Sequence, residues 1–101
     1  MGKFGLYGRL TAKEGKREEL AAILLEAAEA MNELPGCELY VVSLAEDERE
    51  SVYIYEVWSN EEAHQASLGN EATQMLIKQA RPIIADMDRI TALKPLGGKG
   101  L

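Results

Sequence analysis

The chain has 101 residues, of which 47% are hydrophobic and 28% charged, a composition typical of a single globular domain spanning 1–101. Its net charge of −6 disfavours phosphate backbones and anionic lipid, so we expect neither nucleic acid nor a membrane as a partner. One cysteine allows no intramolecular disulfide, and the opening residues lack the pattern of a secretory signal. Both features favour a cytoplasmic protein.

The first half of the chain predicts a strand, a helix and two further strands. Residues 3–12 alternate between two faces, the period of a strand, and residues 16–33 carry apolar side chains at helical spacing. The Pro-Gly pair at 35–36 ends that helix. Residues 37–45 and 51–58 are rich in β-branched and aromatic side chains. We therefore expect two strands joined by a charged hairpin loop.

Two helix starts follow the third strand. Ser59 has Glu62 three positions after it, the spacing of a capping box, so we expect Ser59 to cap a short helix. Asn70, which follows a glycine, predicts a second start.

The rest of the chain predicts a longer helix and a weaker strand. The helix runs to about Met87 unless Pro82 kinks or ends it earlier. Residues 88–96 predict the last strand, and 96–101 predict a flexible tail. The apolar stripe of the helix is expected to contain Ala72, Met75, Leu76, Gln79, Ala80, Ile83 and Ile84.

The resulting order, β-α-β-β-α-β, is that of a ferredoxin-like α+β fold with both helices on one face of an antiparallel sheet. The second and third strands are apolar or aromatic on both faces, which is typical of a doubly buried sheet. We therefore expect two chains to pack sheet to sheet as a homodimer that forms an α/β barrel. The alternative is that amphipathic tyrosines line a face exposed to water.

One stretch, residues 56–68, brings together the residue types that proton chemistry requires. Glu56 lies on the same strand face as Ile54 and Trp58, and His64 and Leu68, four apart, lie on one helix face. This arrangement would hold a small aromatic substrate against Trp58 while His64 moves a proton. The expected catalytic residues are His64 and Trp58, and the expected substrate-binding residues are Glu56, Ile54, Leu68 and Met75.

Each of these residues also has a simpler interpretation. A lone histidine on a short helix is more often a surface or core residue, and Trp58 is most simply a core anchor. Glu56 would instead pair with Arg9 or Arg89 across the sheet. Three methionines then belong to the helical core rather than to a cofactor site, namely Met31, Met75 and Met87.

The sequence predicts no metal site and no cofactor. One histidine and one cysteine cannot build a His-rich or thiolate site within one chain. The acidic loop 46–50 lacks the spacing of a calcium loop. No glycine-rich dinucleotide fingerprint follows a strand.

The chain resembles the antibiotic biosynthesis monooxygenase family, which includes quinol monooxygenases. The resemblance covers nearly the whole chain and rests on KEGKREEL, PGCELYVV, VYIYEVWSNEEAHQASL and ARPII. It implies a dimer whose sheets pack face to face. It also implies oxygenation of an electron-rich phenol or quinol by O₂ without metal or flavin. On this basis Trp58 packs the substrate, His64 assists proton transfer, and Glu56 orients a polar neighbour.

Two positions depart from the family's patterns. Many members carry a histidine nine residues after the tryptophan, where this chain has Ser67. The haem-degrading branch pairs an asparagine on the first strand with a histidine about ten residues after the tryptophan; here those positions are Gly8 and Leu68, which argues against haem degradation. The alternative function is a non-enzymatic dimeric module that binds a small ligand for sensing or detoxification.

Overall fold

The computed structural model describes residues 2–101, and its elements follow the order β-α-β-β-α-α-β. The strands are β1 (Phe4–Ala12), β2 (Cys37–Leu44), β3 (Ser51–Trp58) and β4 (Ile84–Leu93). The α-helices are α1 (Arg17–Ala30), α2 (Glu61–Ser67) and α3 (Glu71–Ala80), with 3-10 turns at Met31–Glu33 and Arg81–Ile83. The sheet is antiparallel with strand order β2-β3-β1-β4. The predicted ferredoxin-like α+β fold is confirmed.

The core lies between the sheet and α1. Leu20 and Leu24 of α1 pack onto Val52 and Ile54 of β3, and all four are buried. Fully burying a side chain of this size stabilises the fold by roughly 1.5–3 kcal/mol. Ala12 at the end of β1 completes the contact, so α1 is fixed across the central strands.

The second half of the chain departs from the prediction at both helix ends. The side chain of Asn60, not of Ser59, caps α2 by accepting a hydrogen bond from the N–H of Ala63 at 2.7 Å. The predicted Ser59 cap is wrong by one residue. The expected cap at Asn70 is present, since its side chain accepts bonds from two backbone N–H groups of the first turn of α3.

The last strand begins four residues earlier than predicted. The α-helix ends at Ala80, because Pro82 lacks the N–H that a longer helix needs and occupies a 3-10 turn instead. Residues 84–93 then pair with the free edge of β1. Met87, predicted to lie near the end of the helix, lies on this edge strand and is 68% exposed.

The sheet face opposite the helices carries aromatic side chains. Tyr7 stacks on Tyr53 with ring centroids 5.8 Å apart and meets Tyr55 edge-on at 6.5 Å. Beside them Arg9 is bonded to Asp88 at 2.6 Å. Arg9 therefore lies on this face with an acid of its own, and the alternative pairing of Arg9 with Glu56 is wrong. No helix among residues 2–101 has both the length and the apolar character needed to cross a membrane.

Candidate functional site

A cavity of about 540 Å³ lies between the sheet and the helices. It exists because α3 packs against α1 rather than against the sheet. Leu6, Leu10 and Ile54 form its floor, and Leu24 and Ala27 of α1 form one wall. Most of the lining is apolar, which is the usual character of a small-molecule site with a few polar groups that orient the ligand.

Glu56, Trp58 and His64 meet at one end of this cavity. The indole Nε1–H of Trp58 donates to Glu56 Oε1 at 2.8 Å, which is possible because both side chains leave the same face of β3. His64, one turn into α2, lies edge-on to the indole with ring centroids 5.6 Å apart. Its Nε2 is 3.8 Å from the same Glu56 oxygen. The sequence predicted this grouping, and the structure brings all three residues together.

The carboxyl group of Glu56 is held in an unusual electrostatic setting. Burial raises its pKa above the ordinary value of 4.5, while the Trp58 hydrogen bond and the nearby His64 and Arg89 oppose that rise. The distance of 3.8 Å to His64 exceeds a hydrogen bond but is short enough for a strong charge interaction when the imidazole is protonated. A proton arriving on His64 would therefore be stabilised by Glu56.

His64 has one ring nitrogen to spare. The side chain is buried, and Nδ1 has no hydrogen-bond partner within the part of the chain that the structure describes. A buried polar atom normally has a partner, so Nδ1 is an unused hydrogen-bonding atom of a residue that lines the cavity.

Ser67 occupies the position nine residues after Trp58. It is buried, lines the cavity and donates its hydroxyl to the backbone oxygen of His64 at 2.6 Å. This bond ties the hydroxyl to the α2 backbone, so Ser67 supports the helix turn that carries His64.

The remaining residues expected to bind substrate divide into two groups. Ile54 and Leu68 line the cavity, but Met75 does not and is 60% exposed. The helical face of α3 that meets the cavity is rotated relative to the predicted stripe and runs through Thr73, Leu76 and Ala80. The expected core of three methionines is therefore wrong for two of them, and only Met31 is buried.

Tyr40 and Thr73 also line the cavity and were not recognised in the sequence, and Arg89, expected only as a possible partner of Glu56, lines it without making a salt bridge to Glu56. Tyr40 is the partner of Glu56 in the β2–β3 register. Burial and the Glu56 charge raise its pKa, so its hydroxyl keeps its proton and remains a donor at neutral pH. The only signal for Tyr40 and Arg89 was strand phase, which needs the pairing register to be interpreted, and the only signal for Thr73 was its phase on α3. No three His, Cys, Asp or Glu side chains within residues 2–101 lie close enough to hold a metal ion.

Comparisons with known proteins agree with this architecture. The family model for the antibiotic biosynthesis monooxygenases matches residues 4–79. A solved structure of a putative antibiotic biosynthesis monooxygenase from Chloroflexus aurantiacus J-10-fl is 38% identical, with 95% of each chain covered and a TM-score of 0.87. A protein of the same description from Deinococcus radiodurans is 24% identical, with 94% of each chain covered and a TM-score of 0.81.

A third, from Nitrosomonas europaea, is 13% identical, with 95% of this chain and 93% of that chain covered and a TM-score of 0.88. The last two likenesses show the fold alone. No curated protein matches the chain. The extent of the family match and the 38% identity to the Chloroflexus protein establish that this chain belongs to the antibiotic biosynthesis monooxygenase family.

Proposed function

We propose that the protein is a monooxygenase that uses O₂ to oxygenate a small electron-rich phenol or quinol, without metal or flavin. The observation that carries this proposal is the Glu56–Trp58–His64 group at the end of an apolar cavity. A deprotonated electron-rich ring can itself pass an electron to O₂. The protein then needs only to bind the ring, remove a proton and exclude water.

The substrate reacts as the keto tautomer of the phenol, in which the ring carbon to be oxygenated is a CH₂ group. His64 takes one proton, the carbanion passes one electron to O₂, and the two radicals combine into a peroxide with a new C–O bond. The O–O bond then breaks, the second C–H hydrogen leaves with the outer oxygen as hydroxide, and His64 returns its proton to form water. The sum is R₂CH₂ + O₂ → R₂C=O + H₂O.

In this proposal each role belongs to one residue of the site. Nδ1 of His64, which has no partner among residues 2–101, receives the proton, and the Glu56 carboxylate stabilises the resulting imidazolium from the other side of the ring. Trp58 holds Glu56 in place through its N–H, and its ring, only 1% exposed, is a core anchor behind the cavity rather than a surface for the substrate. General acid–base assistance of this kind contributes roughly 10²–10⁴-fold to a rate.

Oxygen uptake tests the proposal. The parent protein is mixed with naphthoquinols and hydroxyanthrones in the presence of a metal chelator, and the rate is corrected for autoxidation. We expect uptake above background and a fall of about 100-fold or more in His64→Ala. Gln65→Ala, an exposed neighbour on the same helix, is the matched control and should keep the parent rate. Equal rates for the parent and His64→Ala would contradict the proposed role of His64.

One observation favours a second function. Ser67 stands where many relatives carry a histidine, and its hydroxyl is tied to the His64 backbone rather than free in the cavity. A protein that lacks that base would bind a small aromatic ligand without turning it over, as a dimeric module for sensing or detoxification. Tight ligand binding by calorimetry without oxygen uptake across the panel would select this function.

We also propose that two chains associate through the sheet face opposite the helices. Three tyrosines lie on that face, and Val41 beside them is 43% exposed. Covering these side chains with a second copy removes a contiguous apolar surface from water. Sedimentation equilibrium should give about twice the chain mass of 11.1 kDa, and Val41→Glu should shift the protein toward a single chain. A single-chain mass for the parent at micromolar concentration would refute the dimer.

A further inference from the structure

The cavity contains positive charge that the proposed chemistry does not use. Three arginines border it, Arg9, Arg81 and Arg89, although the side chain of Arg9 lies on the opposite face of the sheet. Arg9 is neutralised by Asp88 at 2.6 Å. Arg81 follows the last residue of α3, where a positive charge interacts favourably with the helix dipole. Arg89 has neither explanation, because within residues 2–101 its side chain makes no salt bridge.

Position on an edge strand does not by itself account for Arg89. Charged side chains on edge strands commonly face water and block pairing with other sheets. Arg89 is exposed, but it also lines the cavity and leaves β4 on the same sheet face as Ile54, since both are register partners of Gly8. An arginine on the wall of an apolar cavity, in a chain of net charge −6, therefore calls for an anionic ligand group.

Gly8 keeps the space between these residues open. A Cβ built on Gly8 would meet only backbone atoms, the Asp88 carbonyl oxygen at 3.1 Å and the Arg89 Cα at 3.9 Å. No side chain therefore stands on the floor at this position. The sheet surface between Ile54 and Arg89 is a bare strip two strand spacings long, about 10 Å.

This strip connects the proposed reaction centre with the arginine. Glu56 lies one residue pair further along β3 than Ile54, which places its Cα about 12 Å from that of Arg89. The positive charge of Arg89 acts on Glu56 at that end of the cavity. It is one of the effects that lower the Glu56 pKa, although burial raises that pKa by more. A flat ring system lying over Gly8 would thus have His64 and Glu56 at one end and the guanidinium at the other.

We propose that the substrate is an aromatic phenol or quinol that also carries a carboxylate, and that Arg89 binds this carboxylate. The proposal rests on the proposed function and adds the substrate's charge and orientation to it. A guanidinium offers two parallel N–H donors to a carboxylate, which fixes direction as well as position. The carboxylate anchors one end of the ring system at β4, so that the opposite, oxidisable end lies at His64. Arg89 is therefore a specificity-determining residue.

Calorimetric titration with a matched ligand pair tests the proposal independently of turnover. The probes are 6-hydroxy-2-naphthoate and 6-hydroxy-2-naphthamide, which have nearly the same shape and differ in charge. We expect the parent protein to bind the carboxylate about fivefold more tightly than the amide, the upper range for a partly exposed ion pair. Arg89→Gln should lose this preference while its affinity for the amide stays unchanged, which also shows that the variant is folded.

Arg49→Gln is the control, because Arg49 is an exposed residue of the β2–β3 loop outside the cavity and the change removes the same charge. It should keep the parent preference. Equal affinity of the parent for the two probes, or a preference that persists in Arg89→Gln, would overturn the role of Arg89 and leave the proposed function standing. If neither probe binds, the role of Arg89 is overturned as well. The cavity would then not be the binding site for aromatics, which the proposed function also requires.

Discussion

Replacing Trp58 with phenylalanine would remove the only hydrogen bond that the structure gives to a buried carboxylate at the centre of the site. The indole N–H donates to Glu56 at 2.8 Å, and the Glu56 side chain is only 17% exposed. A hydrogen bond to a charged group contributes about 1.5–3 kcal/mol, and the smaller ring loses about 1 kcal/mol of apolar burial. We therefore expect Trp58→Phe to lower the free energy of unfolding by about 3 kcal/mol at neutral pH.

A double-mutant cycle with Glu56→Gln separates the bond from the lost packing. A glutamine oxygen can still accept from the indole, but a bond to a neutral acceptor is about half as strong as one to a carboxylate. The coupling between the two substitutions should then be about 1 kcal/mol at neutral pH. It should fall toward zero in acid, where Glu56 is protonated and resembles the amide.

The assay is urea unfolding of the four proteins followed by circular dichroism, at one protein concentration because association would add to the apparent stability. Effects that add to within about 0.4 kcal/mol at neutral pH would show that the bond contributes nothing specific to the charge. A coupling that stays constant from neutral to acid pH would equally refute the reasoning, because the charge of Glu56 would not be its source.

Three further outcomes are expected. Burial raises the pKa of Glu56 above 4.5, so the folded chain binds more protons than the unfolded chain just above that pH and its stability falls as the pH rises. Glu56→Gln should therefore gain stability relative to the parent as the pH rises above 4.5 in urea unfolding, and a constant difference would contradict this. Asn60→Ala should lower the free energy of unfolding by about 1 kcal/mol and Ser59→Ala by less than about 0.5; the reverse order would restore the predicted Ser59 cap. Gly36→Ala, whose Cβ would lie 2.7 Å from a side-chain carbon of α2, should destabilise by about 1–3 kcal/mol in thermal unfolding, whereas Gly69→Ala, which meets nothing nearer than 3.7 Å, should change little.

The strands and the first helix could be predicted because their signals are local. Alternation in 3–12 and the β-branched run 51–58 each indicate a strand within a few residues, and the structure has β1 at Phe4–Ala12 and β3 at Ser51–Trp58. The period of two also placed Glu56 beside Trp58 correctly, since residues two apart share a face whatever the strand pairs with.

The second half of the chain was harder to predict because competing local signals were nearly equal. Ser59 and Asn60 are both good caps, and only the contact with the Ala63 N–H selects Asn60. Residues 84–87 include three apolar side chains compatible with either a helix or a strand, and the free edge of β1 decides for the strand by completing its hydrogen bonds. Met75 and Thr73 lie on different sides of α3, and the packing of α3 against α1 determines which of them faces the cavity.

The sequence by itself determined the order of the elements, the family and the group Glu56, Trp58 and His64, because each depends on spacing along one or two neighbouring elements. The tertiary structure alone decided what else lines the cavity. Tyr40 and Arg89 reach it from strands β2 and β4, which become neighbours of the site only through the register of the sheet. Register and helix rotation are set by contacts between segments far apart in the chain, and no local pattern encodes them.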